Sequence, residues 1–356
     1  MKILIDIGHP AHIHYFKNCV KILSEKNYDF LFVVRERNST IELIQNLKFN
    51  YRSRGKGGSN LISKLLLIPV IDFKLFKIAK TFNPDIFLSF SSFYAAHIAW
   101  IMRKTHIAFD DTEHAVFEHI LCRPFTEAVF SPSCYNAKLS KNQILFNSYM
   151  ELCYLHPNYF IPDDRIYQEL NLKENEKYCV LRFVSWDANH DVGQHGLTID
   201  DKIQIVNELS KYCKIFISSE QELPVELIKY KLNIHPSKLH DVLNYATLYI
   251  GEGGTTASEA AVLGTPAIYI NTLSAGLFKE EIKYGLLYHI LHVNEVIDKA
   301  KTILLDDTAK TKYLNRREIL LKDKIDPTAW MVWLIENYPQ SIKKMKKNPD
   351  YQHKFR

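Results

Sequence analysis

Residues 251–266, GEGGTTASEAAVLGTP, hold four of the chain's twelve glycines, set around Thr255, Thr256, Ser258 and Glu259 directly behind the apolar run LYI. A glycine turn that opens a helix lets backbone N–H groups approach an anion, and the helix dipole favours negative charge at that end. Gly253, Gly254, Thr255 and Thr256 therefore read as a phosphate seat. Glu259 falls about one helical turn deeper, where a carboxylate repels phosphate but accepts two hydrogen bonds from vicinal sugar hydroxyls. Phosphate at the loop and ribose at Glu259 together describe a nucleotide. The alternative is a tight strand-to-helix turn with a capping carboxylate. The segment is not GxGxxG and lacks the Walker A lysine, which disfavours the common dinucleotide and P-loop readings.

Three further stretches carry groups able to do chemistry. His9, His12 and His14 crowd the turn after KILIDI, and an imidazole titrating near neutrality accepts a proton from a hydroxyl or donates one to a phosphate. FDDTEHA places Asp110, Asp111, Glu113 and His114 at the end of a buried strand pattern. Close carboxylates push one pKa upward, which suits a general acid or base, although Asp111 or Thr112 would also serve as a helix cap. In RFVSWDANHD, Arg182 has the fork geometry for a diphosphate, and Ser185 is a further binding candidate. Trp186 offers a stacking face, while Asp187, His190 and Asp191 suit sugar hydroxyls. Arg182 would equally fit a local ion pair on its strand. Ser218, Ser219 and Glu220 are weaker candidates of the same kind. The acidic pairs Asp110/Asp111 and Asp200/Asp201 lack DxD spacing, and a helix end with Arg or Lys stabilises a departing diphosphate without a cation. No obligatory metal or other cofactor is expected.

These groups need rigid elements behind them. KILIDIG, a helical HYFKNCVKILSEK and DFLFVVR read as strand, helix, strand, with short continuous apolar runs typical of strands covered on both faces. PDIFLSF, THIAFDD and EAVFSPS continue the alternation, and after HPNYFIPDD it restarts with YCVLRFV, KIFISSE, KLNIHP, TLYIGEG and PAIYIN. The pattern predicts two Rossmann-like, doubly wound parallel-sheet domains. Their bounds are 1–162 for an acceptor domain and 163–325 for a nucleotide-sugar donor domain, with 326–356 a C-terminal helix returning to the first domain plus a basic tail. Asp326 as N-cap and Pro327 at the first helical position start that helix.

The composition is globular, 47% hydrophobic and 24% charged, and a net charge of +5 is too mild to imply nucleic acid. The six cysteines are scattered without CxxC spacing, as expected of reduced thiols. MKILIDIGHP enters a strand pattern without a secretory succession, so a cytoplasmic protein is expected. LISKLLLIPVIDFKLFKIAK, residues 61–80, mixes apolar residues with four lysines. It suits either a core helix with snorkelling lysines or a peripheral contact with the inner face of a membrane.

HDVLNYATLYIGEGGTTASEAAVLGTPAIYIN resembles the donor-site signature of GT-B nucleotide-sugar enzymes, above all the peptidoglycan N-acetylglucosaminyltransferase that acts on a lipid-linked acceptor. It is similar, more weakly, to the non-hydrolysing UDP-N-acetylglucosamine epimerase. IDIGHPAHIHYFKN with FDDTEHA also looks like a group of prokaryotic GT-B-like proteins of surface-polysaccharide loci. The resemblance spans most of the chain and implies a GT-B fold with an interdomain cleft and Glu259 on the ribose. It puts His12 where the transferase carries its loop histidine, and Asp110 or Asp111 at an acidic catalytic position of the epimerase. The implied activity is transfer of a sugar from a nucleotide diphosphate sugar, UDP-linked, to a glycan or lipid-linked acceptor, with a sugar-nucleotide epimerase as the alternative. Two departures from the transferase stand out: GHPAH replaces its glycine-rich first loop, and NTLSAGLFKEE replaces the polar segment after the donor signature.

Overall fold

The computed structural model describes residues 1–58, 61–113, 115–138, 140–184 and 197–356, apart from the side chains of residues 61, 62 and 64. By internal packing the chain divides into two units, residues 1–159 with 324–356, and residues 160–323.

The first unit contains β1 (Lys2–Ile7), β2 (Asp29–Arg35), β3 (Tyr51–Gly55), β4 (Ile86–Phe90), β5 (Thr105–Phe109), β6 (Ala128–Pro132) and β7 (Gln143–Phe146). They form one sheet in the order β3-β2-β1-β4-β5-β6-β7, every pair parallel. Parallel strands need crossover helices, which cover both faces and explain why the central strands are almost wholly apolar. The second unit contains β8 (Tyr178–Phe183), β9 (Lys214–Ser219), β10 (Leu248–Gly251), β11 (Ala267–Tyr269) and β12 (Leu287–His289). Their order is β12-β11-β10-β8-β9, again all parallel.

In such sheets ligands bind beyond the carboxyl ends of the strands where the winding reverses. That switch point lies between β1 and β4 in the first unit and between β8 and β10 in the second. The residues there are Gly8–His9 with Ser91–Ser92, and Val184 with Glu252–Gly253.

The helix Pro327–Glu336 belongs to the first unit. Asp326 caps it by accepting the Ala329 N–H at 2.9 Å. The same carboxylate accepts Asn158 Nδ2 at 2.9 Å and the Tyr159 hydroxyl at 2.8 Å. Trp330 is fully buried, stacked on Phe146 at 5.1 Å and edge-on to Phe130 at 5.0 Å. A residue far along the chain thus completes the core under β5, β6 and β7.

Three strands at sheet edges, β3, β7 and β12, are too short, five, four and three residues, to stand out in the sequence. An edge strand is paired on one side only and can be short or polar; β3 reads YRSRG. KLNIHP, expected as a strand, makes a single bridge from Lys231 to Ile217 and then enters the one-turn helix Pro236–Lys238, capped by His235. Its two prolyl-side residues, His235 and Pro236, favour a turn over continued pairing. Among the described residues no helix is long and apolar enough to cross a membrane.

Candidate functional site

In the second unit, β10 ends at Gly251 and the helix Gly254–Val262 begins after Gly253, its N-cap in extended conformation. The first intrahelical bond runs from Ala257 N–H to Gly253 O at 3.1 Å. The N–H groups of Gly254, Thr255 and Thr256 therefore point out of the helix end. Glycine is needed here for close approach: a Cβ on Gly254 would lie 2.6 Å from the Phe278 ring, and one on Gly251 would lie 2.3 Å from the Tyr249 hydroxyl. Thr255 is exposed at the turn and Thr256 is buried.

Glu252 sits inside the turn, 1% exposed. Its Oε2 accepts Val184 N–H at 3.2 Å and its Oε1 accepts Leu197 N–H at 2.8 Å, with Lys202 Nζ 3.6 Å from Oε2. One carboxylate thus holds the chain on both sides of residues 185–196. Ser185, Trp186, Asp187, His190 and Asp191 lie outside the described residues. Arg182, beside Gly251 in the β8–β10 register, donates to Ser218 Oγ at 2.8 Å and to Glu220 Oε1 at 2.9 Å. Its Nε comes within 3.7 Å of where a Gly253 Cβ would stand. The guanidinium thus flanks the glycine turn while anchored to the end of β9. Glu259 is buried one turn into the helix, and its Oε1 lies 3.0 Å from His240 Nε2.

The first unit brings a second set of groups to its own switch point. His9 caps the helix Pro10–Ser24, its Nδ1 accepting Ala11 N–H at 3.2 Å. His12 stacks on Phe90 at 4.5 Å and lies 6.0 Å from the Tyr15 ring. Its Nδ1 is buried without a hydrogen-bond partner among the described residues. Burial first, then the positive neighbours His9, Arg37 and Arg54, hold its pKa well below the usual imidazole value, so the ring is neutral at pH 7. Below it Asp6, fully buried in β1, pairs with Arg54 Nε at 2.8 Å and accepts the Ser92 hydroxyl.

Asp110 and Asp111 are neighbours with different environments. Asp110 is 1% exposed and its carboxylate is saturated. Oδ2 takes His119 Nε2 at 2.8 Å and the Ser91 hydroxyl, while Oδ1 takes Thr112 N–H at 2.9 Å and the Tyr135 hydroxyl at 3.3 Å. Such bonding suits an architectural anchor. Asp111 accepts the Thr112 hydroxyl at 3.0 Å and the Tyr15 hydroxyl at 3.4 Å. Burial, and then the adjacent Asp110 charge, raise its pKa to about 7. Glu113 turns aside to accept the Asn136 N–H at 3.0 Å; His114 lies outside the described residues. The structure therefore groups His12, Tyr15 and Asp111, with Asp110 behind them, and leaves Glu113 apart.

Several partners were not singled out in the sequence. Asp6 had a signal, as the one charged residue inside the buried part of β1, and Glu252 lay within the glycine turn itself. His119, His240, Tyr15 and Arg54 had none, because each is defined by a contact to a residue distant along the chain. Among the described residues no group of three His, Cys, Asp or Glu side chains is placed to hold a metal ion.

The model of a family described as "Protein of unknown function (DUF354)" matches residues 1–333. An uncharacterized protein of Methanocaldococcus jannaschii is 23% identical over 313 residues, covering 84% of this chain and 90% of the relative. UDP-GlcNAc 2-epimerase from Neisseria meningitidis, solved bound to UDP-GlcNAc, superposes with a TM-score of 0.64 at 11% identity, covering 90% of this chain and 99% of its own. The spinosyn rhamnosyltransferase SpnG, solved with spinosyn aglycone, gives a TM-score of 0.63 at 11% identity, covering 95% and 100%. The fold is GT-B, two parallel-sheet α/β domains.

Proposed function

The chain belongs to the family described as "Protein of unknown function (DUF354)", and we propose that it is a glycosyltransferase taking a sugar from a nucleotide diphosphate sugar, UDP-linked, to a glycan or lipid-linked acceptor in surface-polysaccharide synthesis. The observation that carries the reading is the turn Gly251–Gly254 at the second sheet's switch point. It opens a helix whose first N–H groups are unspent, with Arg182 on one side and buried Glu259 one turn deeper. The diphosphate sits on the N–H groups of Gly254, Thr255 and Thr256, where the helix dipole and Arg182 stabilise the charge that develops as it leaves. Glu259 takes the ribose hydroxyls. Asp111, poised near neutrality, is the group of the first unit best suited to accept the acceptor's proton, with neutral His12 beside it.

One solved relative of the fold carries UDP-GlcNAc and another is a rhamnosyltransferase by name, which supports a nucleotide-sugar donor. Epimerisation is the second reading, because the raised pKa of Asp111 also suits proton abstraction from a sugar. Proton NMR of UDP-GlcNAc incubated with the protein and no acceptor separates them: a transferase leaves the sugar configuration unchanged, and an epimerase produces a second isomer.

Calorimetry tests the common premise. UDP binds the native protein and Glu259→Ala weakens it about a hundredfold, the order of two lost hydrogen bonds to a charged group, about 3 kcal/mol. Absence of UDP binding by the native protein refutes the reading. Turnover persists in excess chelator, since the helix end and Arg182 do the work of a cation; loss restored by manganese reverses that assignment.

A lipid-linked acceptor is supported by the helix Leu61–Phe82. Ile71, Leu75 and Ala79 bury against the first unit, while Leu66 and Phe73 stand 72% and 59% exposed beside Lys74, Lys77 and Lys80. Such a face suits peripheral contact with anionic lipid. Salt-sensitive co-sedimentation with phosphatidylglycerol vesicles is the expected outcome, and no binding at low salt removes the membrane from the proposal.

A further inference from the structure

We propose that His240 is a positioning residue for nucleoside recognition, holding the Glu259 carboxylate in the plane that a ribose diol requires; this rests on the reading of Glu259 given above. His240 is the second residue of the helix Leu239–Tyr245, which packs on the helix Gly254–Val262. Its neighbour Asp241 pins that end of the helix by accepting the Asp163 N–H at 2.9 Å. The imidazole is almost buried, edge-on to the Phe160 ring with centroids 6.2 Å apart, and its Nε2 lies 3.0 Å from Glu259 Oε1.

A carboxylate only accepts, so the proton of this contact sits on Nε2 whether the ring is neutral or charged. The last torsion of a glutamate is broad and nearly free, and a carboxylate left to itself presents its lone pairs over a wide arc. Two vicinal hydroxyls can be taken together only when the carboxylate plane is fixed. A ring wedged between two helices and an aromatic edge fixes one oxygen, and with it the plane. The saving is orientational, of the kind a pre-organised site gains over a flexible one.

This predicts a selective loss. Affinities of the native full-length chain, His240→Ala and His240→Gln are measured by calorimetry for UDP, 2′-deoxyuridine diphosphate and inorganic pyrophosphate. The native protein prefers UDP to the deoxy compound. In His240→Ala that preference shrinks about tenfold, the scale of one charge-assisted hydrogen bond, while pyrophosphate affinity stays within twofold. His240→Gln, which returns a donor at similar reach, recovers most of the preference.

Undiminished preference in His240→Ala overturns the proposal. So does a parallel fall in pyrophosphate affinity, which marks a side chain that only supports the local fold. If the native chain discriminates the two nucleotides and Glu259→Ala abolishes this while His240→Ala does not, the nucleotide reading stands and this inference alone fails. If the native chain binds neither nucleotide, both fail together.

Discussion

Asp111→Asn should stabilise the first unit in alkaline buffer and do progressively less as the pH falls. The carboxyl titrates at 3.8 in the unfolded chain and at about 7 in the fold. Between these values the folded state holds a proton that the unfolded state has lost, so unfolding free energy falls as pH rises and levels off above about 7. The contribution of this group is intact below pH 3.8 and is lost on the way through 7. At 1.36 kcal/mol per unit, the loss reaches about 2 kcal/mol at pH 5 and about 4 kcal/mol at pH 8. Asparagine keeps the shape without the ionisation, and the variant escapes both. The gap between variant and native protein should therefore widen by about 2–3 kcal/mol between pH 5 and pH 8, the two pH units from 5 to the folded pKa of about 7 at about 1.36 kcal/mol each. With a urea slope of about 2 kcal/mol per molar, that is about 1 M in the unfolding midpoint. Tryptophan fluorescence suits the measurement, because Trp100, Trp330 and Trp333 all lie in the first unit and Trp186 alone in the second. His12 and the other titrating groups that do not feel the Asp111 charge are common to both proteins and cancel. A gap that is constant with pH, or that narrows toward pH 8, refutes the assignment of Asp111 as a half-buried, proton-holding carboxyl. If it is also the catalytic base, the more stable variant is the inactive one.

Other substitutions probe the glycine turn, the buried ion pair and the aromatic core separately. Gly254→Ala drives a methyl group into the Phe278 ring and should cost about 1–3 kcal/mol, read by thermal melting. Phe278→Leu in the same chain should return most of the loss, and no return would mean the contact is not the cause. Arg54→Met strands the Asp6 charge in the sheet, an expected loss of about 3–5 kcal/mol; adding Asp6→Asn should recover a large part of it in the same urea titration. Trp330→Ala empties the space between Phe146 and Phe130, with an expected cost of about 3–5 kcal/mol and early melting of the first unit.

The sequence by itself determined the alternation of short apolar strands with helices, and with it two parallel α/β sheets, because a strand covered on both faces must be apolar on both. It also determined that a glycine turn follows LYI and opens a small-residue helix, since that composition suits little else. It could not locate the edge strands β3, β7 and β12, which are five, four and three residues long and so give periodicity little to register. Nor could it divide labour between Asp110 and Asp111, two identical side chains in succession. That was decided by Ser91, His119 and Tyr135, which fold onto Asp110 and saturate it, and by Tyr15, which reaches Asp111 from the helix Pro10–Ser24. The pairing of His240 with Glu259 is of the same kind, a contact between two helices. Periodicity records which face of a segment is dry, a property local to the chain. Hydrogen-bond partners and pKa shifts depend on which distant groups arrive at that face, and only the packed tertiary structure brings them there.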